Sequence, residues 1–511
     1  MFRSRLFSVL AALLTLATAG AIEARAQGVT TGAIAGTVTD EAGRPLEAVQ
    51  IELRNPSTGF TAGATTRSNG QFQILGLLPD YYVVTARRLG FAPVTRERVR
   101  ITLGQTTRED FRLSDQATNL EAVVVTGTID PIINASKAGT GTTVSDSALS
   151  RLPSLGRNFT DVVQLVPQVQ NSTTGLSGGG VNVRQNAIQI DGAQAGDLFG
   201  LGTTGQPGAQ ANAKSIPLDA VKEYQVLLSP FDIRQGNFGG MLINAITKSG
   251  TNELHGSVYG YTRDEAFGRK QSYLQDFSQQ QYGFSLGGPI IRDKVFFFVN
   301  PEFQAFKTPT NGPWIGSTSP AAPISQATID EFSTIARDYG LEDAGTGGRV
   351  DRENPTTNFF GRIDAFLPWN TRLVLRHNYA AADNTSFSRD NPATSSTPQF
   401  RLTSNQYQFS TTTNSSVLEL HTTLPSGIFN EFLANYTTIR DFRTVPVRFP
   451  SITVQNVQRS DNATLSNARI VAGTESSSQG NELDQDIFEL TNNVTFGVGA
   501  HSFTVGGKAQ F

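Results

Sequence analysis

The sequence contains no cysteine among its 511 residues. Without cysteine the chain cannot form a disulfide, offer a thiolate to a metal or use a cysteine nucleophile. This absence suits a protein that passes through the periplasm. Phenylalanine, by contrast, is abundant, with 33 residues.

Strong net charge and long apolar segments are also missing. The formal net charge is −3 and the mean hydropathy is −0.22, which argues against a nucleic-acid-binding protein because such proteins carry basic patches. After the N-terminus no apolar run reaches the roughly 18–20 residues of a membrane-spanning helix. These values do not exclude a membrane β-barrel, because the alternating strands of a barrel average to a modest hydropathy. The length fits roughly two to four domains.

Sequence patterns of known enzymes are absent too. There is no G-x-S-x-G, H-E-x-x-H or Walker-type phosphate loop. Segment 191–197 has too few acidic residues for a calcium loop of the EF-hand type. The histidines are scattered over predicted strands without metal-ligand spacing: His255, His377, His421 and His501. We therefore expect no enzyme, no catalytic residue, no metal and no cofactor.

The first 26 residues have the parts of a secretory signal peptide. Arg3 and Arg5 supply positive charge, residues 6–19 form the apolar stretch, and Ala24-Arg25-Ala26 is the cleavage site. The alternative is a buried N-terminal helix. Because the apolar stretch is too short to span a membrane as an anchor, we expect residues 1–26 to be removed on export.

Residues 29–115 alternate short strands with turns at a spacing of about ten residues, which predicts a β-sandwich. The patterns G-x-V-x-D-x-x-G-x-P-L from Gly36, S-N-G-x-F from Ser68 and L-P-x-x-Y from Leu78 resemble the carboxypeptidase-regulatory-like domain. That resemblance implies an accessory sandwich of the Ig/transthyretin type. It does not imply a zinc peptidase, because no His/Glu metal set lies here.

The C-terminal half reads as a series of antiparallel strands. About nine candidates alternate or run apolar, at 254–263, 279–288, 295–305, 357–366, 371–381, 412–424, 428–441, 486–497 and 501–511. The connections alternate between short ones (289–294, 367–370, 425–427, 497–500) and long polar ones (264–278, 306–356, 382–411, 442–485). Short periplasmic turns and long outer loops are typical of outer-membrane barrels. Residues 296–298 and Trp369 fit either aromatic girdles or core packing.

Residues 129–250 have a mixed pattern that predicts an α+β domain. Residues 147–170 have a helical period with one apolar face: Leu152, Leu155, Phe159, Val162, Val163 and Leu165. Residues 187–190 precede Asp191-Gly192, a hairpin signal because glycine accepts positive φ. Residues 198–213, rich in Gly, Gln and Thr, read as a loop.

The stretch from Ile216 to Tyr261 joins these two regions without a linker. It reads IPLDAVKEYQV, SPFDIRQGNFGG, INAITKSG and HGSVYGY in turn. Together with GGPIIRDKVFFF at 287–298 and GRNF at 156–159, it resembles the plug and first barrel strands of TonB-dependent outer-membrane receptors of the Oar-like kind. The resemblance is strong over 216–298, moderate over 31–115 and 147–192, and weak after about residue 300.

A valine-rich segment precedes the plug-like region. Three valines in a row form strands well, and between polar flanks such a segment could pair with another protein by β-augmentation. An ordinary strand of the neighbouring domain is the alternative. Residues 118–128 resemble a TonB box, so the residues expected to bind TonB are Glu121, Ala122, Val123, Val124, Val125, Thr126 and Gly127.

The resemblance implies a mostly β protein with a signal peptide (1–26), a sandwich (29–115), a TonB-box-like segment (118–128), a plug (129–250) and part of a transmembrane barrel (251–511). Receptor barrels have 22 strands, so we expect this chain to be a fragment. The implied function is energised uptake across the Gram-negative outer membrane, with TonB, ExbB and ExbD as partners and lipid around the barrel.

The resemblance does not identify the substrate. Siderophores, cobalamin, oligosaccharides and peptides are all carried by relatives, so carbohydrate binding is one expectation. One alternative function is a surface-binding or adhesion protein that is anchored by its barrel and not coupled to TonB. Another is a soluble periplasmic β protein with enzyme activity.

Overall fold

The computed structural model describes residues 30–115, 123–125, 141–149, 151, 156–172, 175–199, 202, 204–228, 233–236, 238–267, 276–424, 427–462, 464, 467–498 and 501–511. The expected signal peptide lies outside these residues. We call residues 30–115 the sandwich, 141–247 the plug-like unit and 255–511 the wall. No helix in the described ranges is long and apolar enough to cross a membrane.

The sandwich packs two β-sheets face to face, as its sequence predicts. Its strands are β1 (Gly32–Asp40), β2 (Gln50–Arg54), β3 (Thr61–Thr65), β4 (Gln71–Leu77), β5 (Asp80–Arg87), β6 (Val94–Ile101), β7 (Thr106–Arg108) and β8 (Phe111–Leu113). One sheet has the order β4-β1-β7, with β8 also paired to β1; the other has the order β3-β2-β5-β6. A further strand, β9 (Val123–Val125), continues the second sheet beyond β6. Alternate side chains such as Leu53 and Val84 are fully buried between the sheets.

The plug-like unit is a mixed sheet with short helices. Its elements are β10 (Gly141–Ser145), α1 (Asp146–Leu149), α2 (Phe159–Val163), β11 (Val169–Ser172), β12 (Gly175–Gly178), β13 (Ala187–Ile190), β14 (Ala193–Gln194), β15 (Val221–Leu227) and β16 (Leu242–Thr247). The main sheet has the order β10-β15-β16-β13-β14. The predicted hairpin is confirmed: Asp191 and Gly192 join β13 to β14 with φ of 47° and 77°, the positive values of a type I′ turn.

The helix predicted over residues 147–170 is wrong in the described part of that range. Helix α1 ends at Leu149, α2 covers only Phe159–Val163, and Val169 already begins β11. Leu165, expected on the apolar face, is 53% exposed. Pro167 accounts for the end of the helical pattern, because a proline disfavours the α conformation in the residue before it. Leu152 and Leu155 lie outside the described residues.

The wall is a curved antiparallel sheet that does not close. Nine of its strands follow one another in chain order: β17 (His255–Asp264), β18 (Ser278–Ile291), β19 (Val295–Pro309), β21 (Thr356–Leu367), β22 (Thr371–Ser386), β24 (Tyr407–Thr423), β25 (Phe429–Thr444), β28 (Glu482–Val498) and β29 (His501–Gln510). A short strand, β20 (Asp351–Glu353), also pairs with β19. The nine predicted strands are thus confirmed, most of them longer than expected.

Side chains alternate across the wall as a barrel requires. Along β22, Arg372, Val374 and Arg376 are buried on the inner face, whereas Leu375 is exposed on the outer face. The aromatic residues divide in the same way. Phe296 and Phe298 are buried on the inner face, which favours core packing, whereas Trp369 is 88% exposed in the turn between β21 and β22.

The long connections of the wall fold together into an outer lobe with its own core. It contains α3 (Gln326–Asp338) and a sheet of β23 (Gln399–Arg401), β27 (Ala468–Ala472) and β26 (Ile452–Val457), in that order. Its buried apolar residues include Ile329, Phe332, Phe400, Leu402 and Ile470. The sequence predicted only long polar loops here. These apolar residues come from three separate connections, so no local period reveals that they share a core.

Arg389 ties the connections of the outer lobe together. Its guanidinium donates hydrogen bonds to the carbonyl oxygens of Arg401 (2.7 Å), Pro313 (3.1 Å), Gly348 (2.8 Å) and Thr346 (3.3 Å). It also lies 4.4 Å from the ring centre of Phe400. Burial lowers the pKa of Arg389 to about 10, and the four carbonyl groups replace the water that this charge loses.

Replacing Arg389 with glutamine is expected to loosen the outer lobe. Hydrogen bonds to a charged group contribute roughly 1.5–3 kcal/mol each, and glutamine cannot reach all four carbonyls. Proteinase K should therefore cleave residues 310–350 and 387–402 at least about tenfold faster in Arg389→Gln than in the unchanged protein. Arg448→Gln, at an exposed position of the same lobe, is the matched control. Equal cleavage in both variants would contradict the assigned role.

Candidate functional site at the contact between plug-like unit and wall

The plug-like unit packs against the inner face of the wall through a shared apolar core. Phe298 of β19 and Phe360 of β21 are almost fully buried, and they belong to one cluster with plug-like residues such as Val162, Tyr224 and Ile243. Burial of a large apolar side chain contributes about 1.5–3 kcal/mol. This core holds the unit against the wall but gives it no direction, because apolar contacts do not depend on orientation.

A cluster of buried charges orients the hairpin of the plug-like unit. We call it the Asp191 cluster; it consists of Asp191, Thr247, Arg362, Asp364 and Arg376. The Asp191 carboxylate accepts hydrogen bonds from the Thr247 backbone N–H (2.9 Å) and hydroxyl (2.7 Å). It also lies 3.6 Å from Arg362 and 3.3 Å from Arg376, which belong to β21 and β22.

The Asp191 cluster contains two arginines and two carboxylates that form ion pairs with one another. Arg362 forms a bidentate pair with Asp364 (2.7 and 2.8 Å), and Arg376 donates a hydrogen bond to the Ile190 carbonyl oxygen (2.8 Å). Each charged side chain of the cluster is less than 10% exposed. Buried charges are costly unless they are paired and hydrogen-bonded. Two arginines of the wall thus require the carboxylate that the Asp191-Gly192 turn supplies.

A second polar cluster joins the plug-like unit to the first strands of the wall. We call it the Arg157 cluster; it consists of Arg157, Lys214, Asp219, Tyr259, Tyr261 and Glu302. Lys214 pairs with Glu302 of β19 at 3.1 Å, and the Tyr259 hydroxyl donates a hydrogen bond to the same carboxylate at 2.9 Å. Burial lowers the pKa of the Lys214 ammonium group, and the Glu302 carboxylate opposes that shift.

Arg157 connects two motifs that the sequence presents separately. Its guanidinium lies 4.8 Å from the ring centres of both Tyr259 and Tyr261, and it pairs with Asp219 at 2.9 Å. The GRNF motif that carries Arg157 and the HGSVYGY motif of β17 therefore meet in space. A guanidinium suits this site because its flat face stacks on aromatic rings while its edge donates hydrogen bonds.

The sandwich also contacts both other parts of the chain. Arg100 of β6 pairs with Glu223 of β15 at 3.2 Å, and Lys222 pairs with Asp80 at 3.2 Å. Thr31 donates a hydrogen bond to Glu431 of the wall at 2.7 Å. Sequence reasoning missed these contacts. They join side chains from distant parts of the chain, and no local pattern marks them.

Of the residues expected to bind TonB, the structure describes Val123, Val124 and Val125, which form β9 beside β6. Glu121, Ala122, Thr126 and Gly127 lie outside the described residues. The four histidines lie on separate wall strands, β17, β22, β24 and β29. Within the described ranges, no group of three or more His, Asp and Glu side chains is placed to hold a metal ion.

Replacing Asp191 with asparagine is expected to loosen the plug-like sheet. The change removes one of the carboxylates that face Arg362 and Arg376, beside Asp364 and Glu419, and breaking a buried ion pair in this way costs about 3–5 kcal/mol. Hydrogen exchange measured by mass spectrometry on the full chain should be faster in β13 and β16 of Asp191→Asn. Asp338→Asn, at an exposed site in the outer lobe, should leave it unchanged. Unaltered protection in Asp191→Asn would rule out the cluster as a stabilising contact.

Replacing Arg157 with lysine is expected to weaken the second cluster while keeping its charge. Lysine lacks the flat guanidinium that stacks on Tyr259 and Tyr261. We expect opening of α2, again followed by hydrogen exchange, to rise by roughly tenfold, which corresponds to about 1.4 kcal/mol. Arg151→Lys, at an exposed position, serves as the control. The stacking role is wrong if both lysine variants exchange alike.

Comparison with known proteins matches two family descriptions to this chain. Residues 33–114 match the carboxypeptidase regulatory-like domain, and residues 246–344 match an outer membrane beta barrel domain. The first range lies within the predicted sandwich, and the second covers the end of the junction at 216–261 and the first wall strands. They locate the chain in the outer membrane of a Gram-negative bacterium.

Three known proteins are similar to this chain. The TonB-dependent transporter Oar of Myxococcus xanthus is 26% identical over 298 residues, which cover 54% of this chain and 27% of Oar. The probable TonB-dependent siderophore receptor PirA of Acinetobacter baumannii is 28% identical over 167 residues, or 30% of this chain and 21% of PirA. The crystal structure of the outer membrane transporter YddB from Escherichia coli aligns with a TM-score of 0.46 at 16% identity, covering 72% of this chain and 47% of YddB.

The chain therefore spans about a quarter of the length of these two curated relatives. These relatives are transporters and receptors rather than enzymes. The chain is a homologue of the TonB-dependent transporter Oar, with a carboxypeptidase regulatory-like domain ahead of an outer-membrane β-barrel domain.

Proposed function

We propose that this chain is part of a TonB-dependent transporter that takes up a substrate across the outer membrane. The observation that carries the proposal is the plug-like unit held against the inner face of the wall by the Asp191 and Arg157 clusters. In a closed barrel a unit held in this way would block free diffusion, so passage would need the plug-like unit to move. The proposal includes the domain limits 29–115, 118–128, 129–250 and 251–511.

The chemistry of the two clusters suits a plug that moves under force. Their charges are paired between the plug-like unit and the wall, so the resting position is favoured over one in which the arginines lose Asp191. Ion pairs and hydrogen bonds are short-ranged and directional, so a displacement of a few ångströms breaks them together. In the proposed cycle TonB grips residues 121–127 and transmits force from the inner-membrane complex of TonB, ExbB and ExbD.

The substrate would enter from the side of the outer lobe. The connections that form this lobe lie on the side of the wall opposite the short turns. In the proposed scheme the lobe and residues 198–213 of the plug-like unit contact the substrate. The similarity to a probable siderophore receptor makes a ferric siderophore the first substrate to test. Carbohydrate binding stays a prediction from the family resemblance, and we propose no enzymatic activity for the chain.

A surface-binding or adhesion protein is the second candidate function. The outer lobe favours it, because a folded lobe with its own core presents a fixed surface rather than mobile loops. In this case the barrel is only an anchor, and residues 121–127 do not bind TonB. The two candidates differ in one property, which is whether the valine-rich segment binds TonB.

A peptide of residues 118–130 is expected to bind the periplasmic domain of TonB. Strand addition depends on backbone hydrogen bonds, and proline removes an N–H donor and fixes φ. Val124→Pro in the same peptide should therefore weaken binding by at least about tenfold, measured by isothermal calorimetry. Val124→Thr, which keeps the strand propensity and the N–H, is the control. If the unchanged peptide does not bind, or if the proline variant binds equally well, the adhesion candidate is favoured.

A further inference from the structure

Strand β9 occupies an edge of the sandwich that would otherwise be open. Strand β6 pairs antiparallel with β5 on one side and parallel with β9 on the other. The parallel register pairs Val94 with Val123, Thr95 with Val124 and Arg96 with Val125. An unpaired strand edge carries a row of free N–H and C=O groups that can accept another strand. The edge of β6 is therefore a strand-binding surface, and its occupant belongs to the same chain.

Contacts other than its pairing with β9 hold strand β6 firmly in place. Arg96 lies 3.3 Å from the Glu109 carboxylate, donates a hydrogen bond to the Asp110 carbonyl oxygen (2.7 Å) and covers the ring of Phe111. These contacts tie the middle of β6 to the opposite sheet of the sandwich. The contacts that hold β6 in place are therefore separate from its pairing with β9.

The same strand is attached to the plug-like unit. Arg100, four residues after Arg96 on β6, pairs with Glu223 of β15 at 3.2 Å, and the Glu223 side chain is only 6% exposed. The sandwich therefore holds two segments that flank residues 126–140: β9 on the edge of β6, and the plug-like sheet through Glu223. With both ends held, a pull on β9 acts first on the sandwich.

The pairing of β9 with β6 is short enough to be reversible. Three residues of parallel pairing provide few hydrogen bonds, and each one adds only modestly to stability in water. A strand from another protein that paired along the whole of residues 121–127 would form more of them. The pairing with β6 also occupies one of the two edges of β9 and restricts its backbone.

We infer that the edge of β6 holds Val123–Val125 in the resting protein and competes with TonB for this segment. The sandwich then acts as a clamp that must release the segment before force can reach residue 141 and the plug-like sheet beyond it. The inference rests on the proposed function, because it takes TonB as the competing strand.

A disulfide between β6 and β9 tests the clamp directly. The unchanged chain has no cysteine, so Thr95→Cys/Val124→Cys introduces one defined pair at registered positions. Neighbouring strands lie about 4.8 Å apart, within the Cα–Cα range of about 4.4–6.8 Å that a disulfide spans. The full chain in detergent would be oxidised, and its binding to the periplasmic domain of TonB measured by biolayer interferometry before and after reduction.

The clamp predicts that the disulfide forms and that the oxidised protein binds TonB at least about tenfold more weakly than the reduced protein. The two single-cysteine variants should respond to neither oxidant nor reductant. Failure of the disulfide to form would overturn the inference, because the register would be wrong. Equal or tighter binding in the oxidised protein would also overturn it, because β6 would then present the segment instead of withholding it.

The experiment separates this inference from the proposed function. If neither the reduced double variant nor the unchanged chain binds TonB, coupling to TonB itself is rejected, and the clamp with it. If both bind and the disulfide has no effect, the transporter proposal stands and only the clamp is rejected.

Discussion

The need to pair buried charge governs how the parts of this protein fit together. Arg362 and Arg376 point from the wall toward the plug-like unit, where water is largely excluded. Asp364 satisfies one of them, and Asp191 at the tip of the β13-β14 hairpin completes the set. A charge left alone in such a place is strongly destabilising. The hairpin therefore has one favoured position, and this also sets the position of the sheet to which it belongs.

The Arg157 cluster fixes a second part of the same unit, also by pairing buried charges. Glu302 is almost fully buried on β19 and receives both the Lys214 ammonium and the Tyr259 hydroxyl. The apolar core around Phe298 and Phe360 also packs the two parts together, but apolar contacts tolerate sliding. The two polar clusters remove that freedom. An interface of this kind holds the plug-like unit in one orientation against the wall.

The sandwich is integrated into this arrangement rather than appended to it. Its strand β6 touches the plug-like sheet through Arg100 and Glu223 and carries β9 on its edge. The carboxypeptidase regulatory-like domain in this chain thus links the valine-rich segment to the plug-like unit by contacts in space as well as by sequence. Thr31 adds a contact to the wall through Glu431.

The periodic spacing of apolar residues and the residue types at turns made much of the architecture predictable. Alternation marked the nine wall strands, and Asp191-Gly192 marked the hairpin, because backbone geometry imposes both patterns locally. The same reasoning failed over residues 147–170, where a helical period in the apolar residues outlasts the helix that Pro167 helps to end. It also missed the outer lobe, whose core gathers Phe332, Phe400 and Ile470 from separate connections.

By itself, the sequence determined the positions of the wall strands, the hairpin turn and the family resemblance, since each depends on residues that are close together in the chain. Only the tertiary structure decided which charges meet. Arg157 looked like part of a helix motif, and it proved to lie over the rings of two tyrosines of the first wall strand. Asp191 looked like a turn residue, and it proved to neutralise arginines from two other strands. Partners of buried charges are selected by proximity in space, which no local pattern encodes.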